Sequence, residues 1–297
     1  MDGVLIIDKP AGPTSHDIVN QVRRVFATRK VGHTGTLDPF ATGVMVVLVG
    51  RATQLAKFVD KEAKEYEAEI RFGFATDTGD LTGKPLGEVR DVPIAAAELD
   101  AVLAKFRGEI LQKPPMYSAK KVGGKKLYEF ARRGEDVERP AVPVTIFEIE
   151  LIDAHAMPSA LHTVRVRCSA GTYIRTLAED IAASLGTFAH LTALRRTASG
   201  RFHVGQSVSP NVLADSQEPA KFLLPIETLV EDLPRFILSK EREKMTLNGL
   251  SSRVYEQEFA ADASVAMFSE EERLVAVGRF DAGDRSIRPT LVLGENK

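Results

Sequence analysis

The chain has 297 residues, 44% of them apolar and 27% charged, with 39 basic and 41 acidic side chains for a net charge of −2. This excludes a mainly disordered chain, gives length for about two domains, and supplies no basic excess of the kind nucleic-acid binders carry. No apolar run reaches the roughly 18 residues of a membrane span.

The N-terminus, MDGVLIIDKPAG, has an acidic second residue and a short apolar run, so no secretory signal is expected and a cytoplasmic location is. Residues 3–7 read as a buried strand, and DKPAGPTS at 8–15 as turn chemistry. Thr14 and Asp17 have capping-box spacing, and Ile18, Val22 and Val25 supply the apolar face of the helix that follows. Residues 30–43 read as a loop running into the buried strand 44–49, and 53–61 as a helix. Tyr66, Ala68, Ile70, Phe72 and Phe74 alternate as a strand, and Leu99, Val102, Leu103 and Phe106 mark a helix ending near Gly108.

Residues 109–140 hold adjacent prolines, paired glycines and many lysines, and read as a long exposed excursion. The apolar parity of 142–151 slips between Ile146 and Phe147, which predicts a β-bulge. His162, Val164, Val166 and Cys168 alternate on a strand; Ile174, Leu177, Ile181 and Leu185 face one side of a helix closed by Gly186. Residues 191–202 supply one or two more strands, 210–232 read as loop, and 240–248 as a short helix before small strands over 252–293. The pattern predicts an α+β fold with a mainly antiparallel central sheet flanked by helices. A boundary near residue 232 separates it from a small C-terminal β domain.

Two segments carry chemistry. GHTGTLDPFATG at 32–43 places one carboxylate, Asp38, between Leu37 and Pro39 in a glycine-flanked loop anchored by a strand. It lacks the lysine of a phosphate-binding P-loop. From spacing alone, an Asp-Pro turn without chemistry fits better. GTYIRTL at 171–177 puts Arg175 off the apolar helix face, where it could grip a carboxylate or pair with Glu179. Spacing does not choose between these. The six histidines never take zinc-helix spacing and Cys168 is the only cysteine, so no metal is expected.

At these residues the chain resembles the TruB family of tRNA pseudouridine-55 synthases. DKPAGPTS, GHTGTLDPFATG, KEYEAEIRFGFATDTGD, KPPMYSAKKVGGKKLYEFARRG, CSAGTYIRTLAEDI and AHLTALRRTASGRF run in the family's order through the first 205 or so residues. The resemblance implies a pseudouridine synthase catalytic fold over 1–232 and a PUA-like domain over 233–297 that meets the acceptor side of tRNA. It implies isomerisation of uridine 55 in the T-loop after the base is flipped out, with Asp38, Tyr66 and Arg175 catalytic. Leu194 would pack on the base, and His33 would fill the space that the base leaves. Lys9, Gly32 and Thr34 complete the implied substrate-binding set. One departure is Gln54, where the family often has lysine.

The resemblance also gives 109–140 a role as an RNA clamp on the T-arm and elbow. Residues 113–139 hold eight basic and four acidic side chains, so a local basic face is averaged away in the total charge. Lys120, Lys121, Lys125, Lys126 and Arg132 are the expected contacts. No cofactor, membrane or obligate protein partner is expected, and the chain is expected to be a monomer. A non-catalytic RNA-binding protein is the alternative, with a guide-RNA-dependent relative as a third reading.

Overall fold

The structure, a computed structural model, describes residues 1–118, 120–131, 133–135, 137–153, 157–255 and 257–294. Arg132, named above as an RNA contact, lies outside the described residues, as do the side chains of Lys121 and Lys126.

In chain order the N-terminal region runs β1 (Gly3–Lys9), α1 (Ser15–Val25), β2 (Val31–Thr34), β3 (Thr42–Val49), α2 (Ala56–Val59) and β4 (Lys64–Phe72). A two-stranded ribbon, β5 (Ala75–Thr76) and β6 (Pro85–Leu86), precedes α3 (Ala96–Leu103) and β7 (Gly108–Gln112). A second ribbon, β8 (Lys121–Val122) and β9 (Lys125–Lys126), leads into α4 (Leu127–Ala131), then β10 (Val142–Leu151) and β11 (Leu161–Cys168). The helix α5 (Ile174–Ser184), β12 (Ala189–Ser199), β13 (Phe202–His203) and α6 (Pro210–Asp215) complete it. β14 (Arg235–Leu238), α7 (Lys240–Leu247), β15 (Ser252–Arg253), β16 (Ser264–Ser269), β17 (Leu274–Asp281) and β18 (Ser286–Val292) follow.

The central sheet has nine strands in the order β1-β3-β12-β4-β11-β10-β7, with β2 pairing β3 and β13 pairing β12. Every pairing is antiparallel except β3 with β12. The chain therefore has the α+β fold expected, with a second, five-stranded sheet of order β14-β16-β17-β18-β15. The two sheets share apolar packing: Ala266, Phe268, Leu274 and Val277 join Val4, Ile6, Val46 and Ile226 in one cluster.

Sequence periodicity accounts for most of these elements. The alternating burial of β4 puts Lys64, Tyr66, Ala68, Ile70 and Phe72 on one buried face. The Thr14–Asp17 capping box starts α1 as expected, and the β10–β11 register slips between Ile146 and Glu148, which makes Phe147 the bulged residue. Four segments differ. The first is 210–232, which is not all loop but opens with the helix α6, capped by the Ser209 side chain accepting from the Val212 amide and started by Pro210. Val31–Thr34 is not loop but pairs antiparallel with Val46 to Val49 of β3. The exposed excursion begins after Gln112, because Gly108–Gln112 is the edge strand beside β10. The expected helix 53–61 is a 3-10 turn over Gly50–Leu55 followed by the four-residue α2.

Candidate active site

The loop carrying Asp38 is clamped from behind by the turn after β1. Lys9 is fully buried, and its ammonium donates to the carbonyls of Pro10 and Pro13 at 2.9 Å and of Pro39 at 3.2 Å. The Gly12 amide also donates to the Pro39 carbonyl, at 2.8 Å. Ser15, the first residue of α1, donates to the Leu37 carbonyl and accepts from the Leu37 amide. Both neighbours of Asp38 are thus fixed by DKPAGPTS, which is what pre-organisation of one side chain requires. Burial holds the Lys9 ammonium down to about 8, with Asp38 pulling the other way.

Arg175 reaches Asp38 from the first turn of α5. Its Nε donates to Asp38 Oδ2 at 2.9 Å, its Nη1 to the Thr78 carbonyl at 2.8 Å and its Nη2 to the Tyr117 carbonyl at 2.8 Å. The arginine is 4% exposed, while a third of the Asp38 side chain remains open to the cleft. The partner is Asp38 and not Glu179, which settles what spacing left open. The start of α5 is fixed in turn by Gln112, whose side chain accepts from the Tyr173 amide and donates to the Tyr173 carbonyl.

Burial raises the Asp38 carboxyl above the ordinary carboxylate value and Asp80 adds to the rise; Arg175 and Lys9 oppose it and do not cancel it. The direction follows from the cleft, which removes water from the carboxylate.

Asp38, Arg175, Tyr66 and Leu194 line one cleft of about 410 Å³ together with Lys64, Ser118, Tyr173 and Arg196. Tyr66 lies on β4 between Val166 of β11 and Arg196 of β12. Burial raises its hydroxyl pKa, opposed by the neighbouring Arg196. Arg196 is 1% exposed and donates to the Val44 carbonyl at 2.6 Å and the Gly35 carbonyl at 3.0 Å. It ties the Asp38 loop to the sheet.

The other expected substrate-binding residues sit elsewhere. Lys9 presents no surface and braces the loop. Thr34 is buried. Gly32 and His33 are half-buried on β2, outside the cleft lining. Burial, with Arg196 next, lowers the His33 pKa. In the basic segment Lys120 is half-buried and Lys125 exposed. That segment is anchored by buried Leu127, by Leu127 N donating to Lys120 O, and by Tyr128 N donating to Ser118 O.

Arg196 and Lys64 are the site residues that sequence reasoning missed. Both lie inside quoted motifs, but a strand arginine or lysine reads as a surface residue.

A family model described as "TruB family pseudouridylate synthase (N terminal domain)" matches residues 23–174, and one described as "tRNA pseudouridylate synthase B C-terminal domain" matches 175–231. Curated relatives named tRNA pseudouridine synthase B include a Bacillus pumilus protein, 39% identical and covering 100% of this chain and 99% of its own length. One from Haemophilus influenzae is 40% identical over 100% of this chain and 96% of its own length. One from Solibacter usitatus is 47% identical over 76% of this chain and 79% of its own. Among solved structures, a Cbf5-Nop10-Gar1 complex matches with TM-score 0.72 at 26% identity, over 99% of this chain and 84% of the matched one. An H/ACA RNP bound to a substrate RNA containing 2'-deoxyuridine matches with TM-score 0.76 at 24% identity, over 99% and 85%, and shows the shared fold.

Proposed function

Because the chain belongs to the TruB family of pseudouridylate synthases, we propose that it isomerises uridine 55 in the T-loop of tRNA, with Asp38 acting on the ribose. The observation that carries this reading is the Asp38–Arg175 pair, held at 2.9 Å in a cleft that Tyr66 and Leu194 also line. A protein that only bound RNA would have no use for a partly open carboxylate oriented by a buried, three-way anchored arginine.

The target base is part of a folded loop, so it is flipped into the cleft at a cost of a few kcal/mol. Uracil packs on Leu194 and the Tyr66 ring. Ionised Asp38 then either attacks C1′ or takes the C2′ proton; in both routes the N1–C1′ electron pair leaves with the base. The base turns and C5 bonds to C1′, with the Asp38–C1′ bond breaking on the first route or the proton returning from Asp38 to C2′ on the second. The C5 proton departs near the Tyr66 hydroxyl, and N1 takes up a proton. Atoms balance as an isomerisation with no redox change and no added water, so the reading calls for no cofactor or metal.

Residues 113–139, with Lys120, Lys121, Lys125, Lys126 and Arg132, meet the phosphates of the T-arm and elbow in this reading. His33 occupies the space that the base vacates. Residues 1–232 form the catalytic unit, and 233–297 act as a PUA-like unit toward the acceptor end. The chain acts in the cytoplasm as a monomer. Among the described residues no helix is long and apolar enough to cross a membrane.

The test is incubation with an unmodified tRNA transcript tritiated at uracil C5. Wild type releases tritium and Asp38→Asn does not. Tight binding by wild type without release sinks the proposal.

A further inference from the structure

The cleft contains a cation that the Asp38–Arg175 pair does not employ. Lys64 opens β4 two residues before Tyr66, so the two side chains leave the same face of the strand. Lys64 is 5% exposed, lines the cleft, and its ammonium is buried without a hydrogen-bond partner. The groups that act on it are Arg196 from β12, Glu62 and Asp60 from the turn before β4, and Cys168 from β11, its register partner. Burial and then Arg196 hold the ammonium down to about 8, with Glu62, Asp60 and Cys168 pulling the other way, so it is mostly protonated at neutral pH. A second orphan shares the cleft: the Ser118 hydroxyl, buried and also without a partner.

A buried ammonium with no acceptor is costly and is seldom kept without a use. The other two cations deep in the cleft are committed. Arg175 donates to Asp38, Thr78 and Tyr117, and Arg196 to Val44 and Gly35. Lys64 keeps its three hydrogens for a group that arrives.

We propose that Lys64 donates a hydrogen bond to a carbonyl oxygen of the flipped uracil and stabilises the uracil anion formed when the N1–C1′ bond breaks. This rests on the reading above that the base enters this cleft. Whether Asp38 attacks C1′ or removes the C2′ proton, the bonding pair stays on the base and its charge spreads over N1, O2 and O4. A fixed ammonium in a water-poor cleft acts most strongly where charge develops in the transition state. A backbone phosphate fits the position less well: it stays hydrated at the rim, where the exposed Lys61 lines the same cleft. Only a group as deep as the base reaches Lys64.

The experiment compares wild type, Lys64→Met and Lys64→Arg of the full chain under single turnover, with saturating enzyme and the C5-tritiated transcript. Lys64→Met lowers the tritium-release rate constant by roughly 10²–10³-fold, leaves tRNA affinity in filter binding unchanged, and melts no earlier than wild type. Lys64→Arg recovers part of the rate. Three results overturn the proposal. One is a wild-type rate in Lys64→Met. Another is lost affinity with an intact rate, which marks a phosphate anchor. The third is an earlier melt with activity lost only in step with the folded fraction, which marks a structural role. An inert wild type instead sinks the parent reading, so the two failures are distinguishable.

Discussion

Arg175 Nε donates to Asp38 Oδ2 at 2.9 Å across 137 residues of chain. The same guanidinium is tied to two backbone carbonyls, Thr78 and Tyr117. The arginine is therefore a fixed point, and the carboxylate takes its orientation from it. Tyr117 lies in the basic segment, so a part of the chain proposed to meet RNA is hydrogen-bonded to the residue that aims Asp38.

Replacing Arg175 by lysine keeps a charge but loses the planar fork that serves three acceptors. Arg175→Lys should lower the single-turnover rate by roughly 10²-fold or more, with a smaller change in tRNA affinity. Equal loss of affinity and rate would contradict an orienting role.

Burial raises the Asp38 carboxyl, and the proposed reaction uses its ionised form. Activity is therefore lost as pH falls through a value above the ordinary aspartate pKa of about 3.9. In Arg175→Lys the nearest opposing guanidinium is gone, so this acid limb should move further up. A single-turnover pH profile checks both; a wild-type limb at or below the ordinary value would contradict the electrostatics.

Gly43 sits where β3 meets β12. Its φ is +101°, and a Cβ there would stand 2.2 Å from the Arg196 carbonyl oxygen. Gly43→Ala must both strain the backbone and push β12 away, which should cost on the order of 2–3 kcal/mol. It should also slow turnover, because Arg196 ties the Asp38 loop to the sheet. Denaturant titration checks it, and unchanged stability would mean that this contact is soft.

Lys120 and Lys125 lie on the basic segment, the first half-buried and the second exposed. If they meet phosphates, Lys120→Gln with Lys125→Gln should flatten the dependence of log affinity on log salt by about one to two units. The chemical rate at saturating enzyme should persist. An unchanged slope would remove them from the RNA footprint.

Much of this architecture was legible in sequence because local and tertiary demands agree. The alternation of Tyr66 through Phe72, the Thr14–Asp17 cap and the slip at Phe147 are all local signals. β2 was not legible, because GHT within a glycine-rich run reads as loop and becomes strand only by pairing with β3. β7 was masked by the prolines and lysines that follow it. Asp38 and Arg175 were visible as singular residues, but only the family resemblance joined them, since their contact is made by the fold. Lys64 and Arg196 were passed over because buried cations break the pattern that marks charge as surface.

The most direct measurement counts tritium released from a fully C5-tritiated tRNA transcript against the same transcript with cytidine at position 55. The account predicts release from the first approaching one tritium per tRNA with wild type, none with Asp38→Asn, and none from the position-55 variant with either. Release from the cytidine-55 transcript, or undiminished release by Asp38→Asn, would contradict it.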